Sequence, residues 1–499
     1  MDLETLLSYP WSIMAPEFTI LIVATLLSLF DLFMKDKADR KYLAWFAIAG
    51  VIVALVFTWR QLGSPVQMIL YDTYRLDSFA IAFKLILLVG TLFVLLMAID
   101  YDKKGITYRG EFFYLLLTAL LGGMIMTSSA DMITLFVGLE LLSLSSYIMA
   151  GLRKNNLQSN EAAFKYVING GVASAITLFG MSYVYGLTGH TNLFEISAVM
   201  QDPVIMQNSF LILFSFFLIF VGLAFKIASA PFHMWSPDVY QGSPTPVTAF
   251  LSVVSKTAGF ALILRFLLVV FIAAPGTSPE EPLLVNTQIY IAVLAGLTMI
   301  IGNVVALRQD NIKRLFAYSS VAQAGYILVP FVTLSVMMFE NTWFYLLAYL
   351  FMNLGAFAVI QLVMTQTGSE KISAFAGLYK RSPGLAVIMA VYLISLAGIP
   401  ISAGFVGKFY IFLGALSTEH YVLASVMIAT SVISYFYYFK IMGQMFFRPA
   451  ESTEPIRVPV NILVVLVVAA IGTVGLGLFP SVAIDFFNEY FEFAQIFQR

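Results

Sequence analysis

The chain has 499 residues, of which 60% are hydrophobic and only 11% are charged, and its formal net charge is −1. Soluble domains carry about a quarter charged residues, so this balance excludes a soluble globular enzyme, a disordered tail, a fibrous protein and a basic nucleic-acid binder. The sequence has no cysteine, which excludes disulfides, thiolate metal sites and iron–sulfur clusters. The composition therefore predicts an all-α polytopic membrane protein.

Fourteen stretches are apolar enough to cross a bilayer as helices of about 20 residues. In chain order their centres lie near Val23, Val51, Val89, Leu117, Leu141, Ile176, Phe217, Gly259, Ala295, Ala324, Leu350, Leu396, Thr430 and Val468. The N-terminus lacks the basic segment and small-residue cleavage site of a signal peptide, so we expect helix 1 to be a permanent span.

The distribution of Lys and Arg predicts the orientation of these spans. Loops after odd-numbered helices carry 18 of the 27 Lys and Arg residues, the opposite side carries 3, and 6 lie within spans. Because cytoplasmic loops are enriched in Lys and Arg, we expect the first set of loops to face the cytoplasm and both termini to face outward.

Two ionisable residues are predicted near the middle of the bilayer, where each costs at least about 2.5–3.5 kcal/mol. Glu140 lies in "LFVGLELLSLSSYIMAG" of helix 5, and Lys256 lies in "TAFLSVVSKTAGF" of helix 8. Glu140 is either a functional carboxylate or a neutral acid hydrogen-bonded to a neighbouring helix. Lys256 is either a functional lysine or part of a fixed salt bridge.

Two further lysines lie beside prolines that interrupt helices. Lys226 precedes Pro231 in helix 7, and Lys408 follows Pro400 in helix 12. Broken helices are tolerated in a bilayer where protein or a hydrated cavity satisfies the freed backbone, and paired breaks in two halves indicate an ion pathway. A kink with a structural lysine is the alternative at each position.

The lysines are 182 residues apart, which is close to five spans, so two five-helix repeats of opposite orientation are predicted, helices 4–8 and 9–13. The corresponding divisions are 1–110 for helices 1–3, 111–275 for the first repeat, 285–447 for the second repeat, and 456–499 for helix 14 and the tail.

Several other polar residues have two interpretations each. Lys165 near the start of helix 6 either has a role or extends to the inner surface. His233 and Asp238 beside the break in helix 7 either pass protons or cap a helix. We expect Lys84 to extend to the surface and Arg265 to anchor helix 8 at the interface. No phosphate loop, dinucleotide fingerprint or zinc-binding histidine pair occurs.

With these residues in place, the sequence resembles the subunit N type of respiratory complex I, one of its antiporter-like membrane subunits. The resemblance covers nearly the whole chain and rests on "GLELLSLSSY", "EAAFKY", "GLAFKIASAPFHMWSPDVYQGSPTPVTAFL", "SKTAGF" and "LAGIPISAGFVGKFY". The L and M subunit types usually place an aromatic residue before the helix-5 glutamate, where this chain has Leu139.

The resemblance implies a proton relay and a set of partners. By it, Glu140 and Lys226 form a coupling pair, Lys256 and Lys165 a central relay, and Lys408 the exit. It implies K-type and M-type membrane neighbours in a bacterial cell membrane, and NAD and quinone used by other subunits, with no cofactor or metal on this chain. The activity implied is that of a translocase, coupling quinone reduction elsewhere to proton pumping.

Three other functions are compatible with the same pattern. A subunit of a gradient-driven cation/proton antiporter shares most of the motifs. A solute transporter would need a substrate-sized polar pocket, whereas the buried charges here are spread along several helices. A structural spacer within a larger pump is the third.

Overall fold

A computed structural model shows a bundle of long helices and describes residues 3–35, 39–101, 106, 109–202, 207–272, 274–276, 281–450 and 454–497. Lys37, Lys103, Lys104 and Arg499, which contribute to the charge count, lie outside these residues. Within the described ranges, 13 helices are long and apolar enough to cross a membrane, and two shorter apolar helices follow one another at the predicted helix 12.

The first half of the bundle contains eight spans. They are α1 Ala15–Phe33, α2 Lys41–Arg60, α3 Ser78–Ala98, α4 Arg109–Ser128, α5 Met132–Ala150, α6 Leu157–Thr188, α7 in two parts (α7a Ser209–Lys226 and α7b Trp235–Gly242) and α8 Thr245–Phe271.

The second half contains six. They are α9 Leu283–Ala306, α10 Ile312–Thr333, α11 Met338–Thr367, α12 in two parts (α12a Pro383–Ala397 and α12b Ala403–Ser417), α13 Tyr421–Phe447 and α14 Val460–Leu478. Every predicted centre falls in one of these helices, so the prediction of a fourteen-span all-α membrane protein is confirmed.

Short elements join the spans at their ends. A hairpin of β1 Gln67–Ile69 and β2 Tyr74–Leu76 connects α2 to α3. Short helices cover Leu3–Ser8, Trp11–Met14, Leu193–Val199, Ile372–Phe375, Leu378–Arg381, Pro480–Tyr490 and Phe493–Phe497.

Both predicted helix breaks are confirmed, and in each the freed backbone groups find partners. In α7, Ala230 N–H donates to Thr298 Oγ1 of α9 at 3.0 Å, and Trp235 Nε1 donates to the Phe225 carbonyl at 3.1 Å. In α12, Gly404 N–H donates to Ser395 Oγ at 3.0 Å. The breaks are five spans apart, and because five is odd, the two halves run in opposite directions across the bilayer.

The centre of the bundle is formed by α8, α10, α11 and α3. More than four fifths of the residues in the most apolar part of each of these helices are buried. By contrast, α1, α6, α13 and α14 lie at the periphery and expose apolar side chains to lipid. Lys256, described below, lies on the most enclosed of these helices, α8.

Glycines allow matching helix pairs to approach closely in both halves. A Cβ atom on Gly122 of α4 would come 2.5 Å from the Leu142 nitrogen of α5, and one on Gly302 of α9 would come 2.5 Å from the Ala322 nitrogen of α10. Small residues at such crossings are typical of membrane helix pairs. The same close contact thus recurs in each half.

The expectations that Lys84 extends to the surface and that Arg265 is an interfacial anchor are wrong. Lys84 is fully buried and pairs with Glu17 of α1 at 2.5 Å. Arg265 is also fully buried, and its Nη1 and Nη2 donate to the Asp77 carboxylate at 2.5 and 2.8 Å. Burying a charge is costly unless it is paired, and the partners come from helices that the sequence does not place side by side.

Asp77 also accepts from Arg75 Nε at 2.7 Å and caps the N-terminus of α3. Burial alone would raise the pKa of Asp77, but the guanidinium groups of Arg265 and Arg75 outweigh it and hold the pKa below its ordinary value. This cluster ties α3 to the end of α8.

Candidate functional site: a buried polar axis

Lys226 and Glu140 each form a hydrogen bond with a serine hydroxyl. Lys226 ends α7a and donates from Nζ to Ser143 Oγ of α5 at 2.9 Å. Ser174 of α6 donates to Glu140 Oε1 at 2.5 Å. Within the described ranges the two charged groups form no direct ion pair, and each is hydrogen-bonded to a different serine hydroxyl.

A cavity of about 10 Å³ lies among these hydroxyls and is lined by Ser143, Ser174, Tyr147 and Lys226. That is close to the volume needed for one water molecule, which requires two or more polar partners. The serines and the lysine supply those partners. Glu140 itself is half-buried.

Lys226 is also close to the central helix α8. A Cβ atom on Gly259 would lie 3.3 Å from Lys226 Cγ, so the lysine stem packs closely against α8 at this glycine. Gly259 follows Lys256 by one turn, a rise of about 4.5 Å. The stem of Lys226 therefore packs against α8 one turn from Lys256.

Lys256 is buried and donates from Nζ to the main-chain carbonyl of Ser320 in α10 at 2.6 Å. The Ser320 hydroxyl in turn contacts the hydroxyls of Tyr240 at 3.3 Å and Tyr349 at 3.0 Å. The fixed salt bridge considered for Lys256 is not formed among the described residues. Its ammonium instead joins a cluster of hydroxyls where α7b, α8, α10 and α11 meet.

Polar contacts continue from this cluster into the second half. Ser319 is hydrogen-bonded to the Tyr438 hydroxyl of α13 at 2.5 Å. One turn further along α10, Gln323 accepts from the Tyr345 hydroxyl and donates from Nε2 to the Leu396 carbonyl at 3.1 Å. Leu396 is the second-last residue of α12a, so these contacts reach the break in α12.

Lys408 occupies that break. It is buried, and its Nζ donates to the carbonyls of Leu396 and Ala397, each at 3.1 Å. It lies 4.6 Å from the centre of the Tyr326 ring. In the described part of the chain no carboxylate pairs with Lys408, so freed helix carbonyls, which carry the negative end of the helix dipole, stabilise its charge.

A cavity of about 310 Å³ borders Lys408 between α12b and α13. Its walls include Ile428 and Val432, which are exposed on the flank of the bundle. Lys408 is thus the lysine of the axis that lies nearest to an opening.

Lys165 is placed apart from the other lysines. It is half-buried, and its Nζ pairs with Glu161 and with Asp238 of α7b, both at 2.6 Å. Asp238 also accepts from Arg314 Nη1 of α10 at 2.5 Å. The structure does not bring Lys165 to Lys256; it places Lys165 in an ion-pair network at the end of the bundle where α6 and α10 begin.

His233 lies within the α7 break and is buried, and its Nδ1 has no hydrogen-bond partner among the described residues. It lies close enough to Lys256 for their charges to interact. The hydroxyls of Ser236, Thr257 and Tyr166 are likewise buried without a partner in the described ranges. Such atoms are ordinarily satisfied by internal water, so the space around the α7 break is suited to hydration.

Several residues of this axis were missed from sequence. Ser143 contacts Lys226 and Tyr349 contacts the Ser320 hydroxyl, yet hydroxyls are common in spans and give no distinct signal. The serine-rich run after Glu140 is the one pattern that points to Ser143.

Comparison with known proteins places this axis in a family. A family model described as "NADH:quinone oxidoreductase/Mrp antiporter, TM" matches residues 129–434. The chain is 58% identical over 491 residues to a protein named NADH-quinone oxidoreductase subunit N from Geobacillus sp. strain WCH70, covering 97% of this chain and 100% of that protein. It is 56% identical to the subunit N of Anoxybacillus flavithermus, with 100% of both chains covered.

Solved structures give the same result. A chain of respiratory complex I from Thermus thermophilus superposes with a TM-score of 0.78 at 32% identity, over 94% of this chain and 98% of that one. A chain of the Mrp complex from Dietzia sp. DQ12-45-1b has a TM-score of 0.82 at 20% identity, over 100% and 98%, which shows a shared fold. The chain therefore belongs to the NADH:quinone oxidoreductase/Mrp antiporter family, among the relatives named subunit N.

Proposed function

We propose that this chain is a proton-translocating membrane subunit of a complex I-type NADH-quinone oxidoreductase. The observation that carries the proposal is the burial of Lys226, Lys256 and Lys408 in the two halves of the bundle, each with its ammonium on a hydroxyl or on main-chain carbonyls. Three lysines with so little exposure are costly unless they are used or firmly paired, and none of them has a direct carboxylate partner among the described residues.

The physical chemistry of these positions suits reversible protonation. Burial disfavours the ammonium form of a lysine, and a nearby negative charge or carbonyl dipole favours it. Two unit charges about 8 Å apart attract by about 2 kcal/mol at an effective dielectric of 20. Moving one charge against 100 mV costs about 2.3 kcal/mol, so altering the charge or position of Glu140 would supply work of the right size at Lys226.

We propose the following order for the proton. From Lys226 it passes along α8 to Lys256, then through the Ser320 and Tyr438 hydroxyl clusters to Lys408. On the side where α6 and α10 begin, Lys165, Asp238 and His233 line the approach as a half-channel. We place that side in the cytoplasm and both termini outside, because the loops on it carry most of the Lys and Arg residues.

The remaining parts of the reaction are assigned to other subunits. The sequence has no cysteine and no dinucleotide fingerprint, so we place electron transfer from NAD, and quinone reduction, outside this chain. We expect K-type and M-type membrane subunits as neighbours in the cell membrane. Glu140, which is only half-buried, is a natural point for one of them to act. The functional units are residues 111–275 and 285–447, flanked by 1–110 and 456–499.

The test is proton counting in the intact complex with Lys226→Ala or Lys256→Ala. Both variants are expected to lower proton translocation and coupled quinone reduction while the complex still assembles, because a coupled enzyme slows when one relay is blocked. The matched control is the double variant Glu17→Gln with Lys84→Met, which removes a buried ion pair outside the axis without leaving either charge unpaired.

Wild-type proton stoichiometry in the Lys226→Ala complex would refute the relay. The alternative function is that of a subunit of a gradient-driven cation/proton antiporter. The subunit content and the transport activity of the same purified complex distinguish the two functions. If the purified complex lacked quinone-reducing subunits but exchanged cations for protons, the chain would be a subunit of a cation/proton antiporter.

A further inference from the structure

Of the three buried lysines of the axis, only Lys408 lies over an aromatic ring within the described residues. Its Nζ is 4.6 Å from the centre of the Tyr326 ring, and both side chains are buried. The face of an aromatic ring attracts a cation within about 6 Å, and the attraction is larger where water is excluded. The ring therefore acts with the carbonyls of Leu396 and Ala397 to favour the ammonium form of this lysine.

The Tyr326 ring is held in place by hydrogen bonds to its hydroxyl from two other helices. The hydroxyl donates to Thr430 Oγ1 of α13 at 3.1 Å, and it accepts from Ser431 Oγ of α13 and from Asn303 Nδ2 of α9, each at 3.3 Å. Asn303 is fixed in turn, because its Oδ1 accepts from the Tyr437 hydroxyl at 3.0 Å. The ring cannot turn its face away from Lys408 without loss of these hydrogen bonds.

The two halves differ in the group that lies opposite their lysines. The matching glycine contacts of α4 with α5 and of α9 with α10 give Leu142 and Ala322 equivalent positions. Two residues earlier on each helix, this register pairs Glu140 of α5 with Ser320 of α10. The second half thus has a hydroxyl at the position of the carboxylate, and the Tyr326 ring lies one and a half turns further along the same helix.

The helices around Lys408 supply little other charge. Helix α12b packs against α10, α11, α12a, α13 and α14, and these helices carry a single carboxylate, Glu340 in the first turn of α11. Among the described residues Glu340 forms no ion pair with Lys408. The other titratable neighbours are tyrosines: Tyr345 of α11 packs at Gly407, and Tyr435 of α13 lines the same cavity as Lys408.

We propose that the ring face of Tyr326 sets the proton affinity of Lys408, in the role that a carboxylate has for the lysine of the first half. The inference rests on the proposed function, in which Lys408 carries a proton. A ring favours the ammonium form without a full opposite charge, so Lys408 can accept the proton and still release it. Tyr326 acts through Lys408 and is therefore a positioning residue.

The first test is the pH dependence of proton translocation per NADH oxidised, measured with inverted membrane vesicles. Tyr326→Leu removes the ring and is expected to move the alkaline limb of the profile to lower pH by about one unit, a ten-fold change in proton affinity. Tyr326→Phe keeps the ring face and is expected to keep the wild-type profile. The matched control is Tyr392→Leu, because Tyr392 is also buried but has no cation over its ring among the described residues. An unmoved limb in Tyr326→Leu, or an equal shift in Tyr326→Phe, would overturn the proposal.

The second test does not depend on turnover. A double-mutant cycle compares the effect of Tyr326→Leu on the unfolding temperature of the purified complex in detergent, with Lys408 present and with Lys408→Met. A larger drop with the lysine present is expected, and equal drops would refute the contact. Tyr326→Met, whose flexible side chain fills more of the ring space, replaces Tyr326→Leu in both tests if the leucine variant does not assemble.

The Lys408→Arg variant separates failure of this inference from failure of the proposed function. If Lys408→Arg does not pump and the alkaline limb of Tyr326→Leu does not move, Lys408 is a proton carrier and only the role of the ring is wrong. If Lys408→Arg pumps as wild type, the carrier role of Lys408 fails, and the inference fails with it.

Discussion

Replacing Lys408 by arginine separates a proton carrier from a fixed positive charge. Arginine keeps the charge but does not deprotonate near neutral pH. We expect the arginine to fit the structure. The Lys408 stem is confined at Gly398, where an added Cβ would lie 3.0 Å from Lys408 Cδ. The cavity of about 310 Å³ beside Lys408 has room for the larger guanidinium. The carbonyls of Leu396 and Ala397 remain as acceptors.

The expected effect is large because of the difference in acidity between the two side chains. The pKa of arginine lies so far above neutral pH that its guanidinium stays protonated throughout the cycle. If Lys408 must release a proton in each cycle, that step becomes prohibitively slow. We expect proton translocation by Lys408→Arg to fall at least about ten-fold, close to the background of the assay.

The assay is acidification of inverted membrane vesicles per NADH oxidised, with complex assembly checked by subunit content. Lys313→Arg is the matched control, because Lys313 is also buried and donates to two main-chain carbonyls, of Gln241 and Ser243, at 2.7 and 2.6 Å. It also lies 3.6 Å from Glu370, which can pair with a guanidinium. If Lys408→Arg pumped as well as wild type, Lys408 would be an electrostatic fixture, and the proposed exit would be wrong.

Two further predictions concern the stability of the bundle and the link between its halves. Asp77→Asn leaves Arg75 and Arg265 buried without their anion and is expected to destabilise the protein by about 3–5 kcal/mol, measured by thermal unfolding in detergent. The pKa of Asp77 is lowered in the folded state, so its contribution to the free energy of unfolding is fully present above its ordinary pKa of about 4. That contribution is lost only as the pH falls through the lowered pKa. A drop in the unfolding temperature between pH 7 and pH 5 that depended on this cluster would contradict the prediction. Tyr438→Phe removes the hydrogen bond to Ser319 and is expected to slow proton translocation several-fold without loss of assembly, whereas unchanged translocation would place the pathway elsewhere.

The span count and the helix breaks follow from the sequence alone. Hydrocarbon thickness fixes the length of an apolar helix, and every predicted centre lies in a helix. Proline cannot continue a helix without loss of a hydrogen bond, so Pro231 and Pro400 mark the breaks. A lysine beside each break was visible for the same reason: a charge in an apolar segment is rare enough to be noticed.

Which polar groups meet was decided by tertiary structure. Lys256 contacts a main-chain carbonyl 64 residues away, at Ser320, and no side-chain pattern predicts that contact because every residue has a carbonyl. Lys84 and Glu17, each taken alone, give no sign that they pair. Lys165 lies in the EAAFKY motif, from which a role in the central proton relay was predicted. Its position on α6 instead places it against Asp238.

The physical reason for this division is the range of the forces involved. Transfer of apolar side chains into lipid and the geometry of proline act residue by residue, so a linear sequence reports them directly. Hydrogen bonds and ion pairs act over a few ångströms between atoms on different helices, and the rotation and crossing of each helix decide whether Glu140 meets Lys226 directly or through serine hydroxyls. The sequence determined that charges lie in the membrane, and the packing of the helices determined which groups they touch.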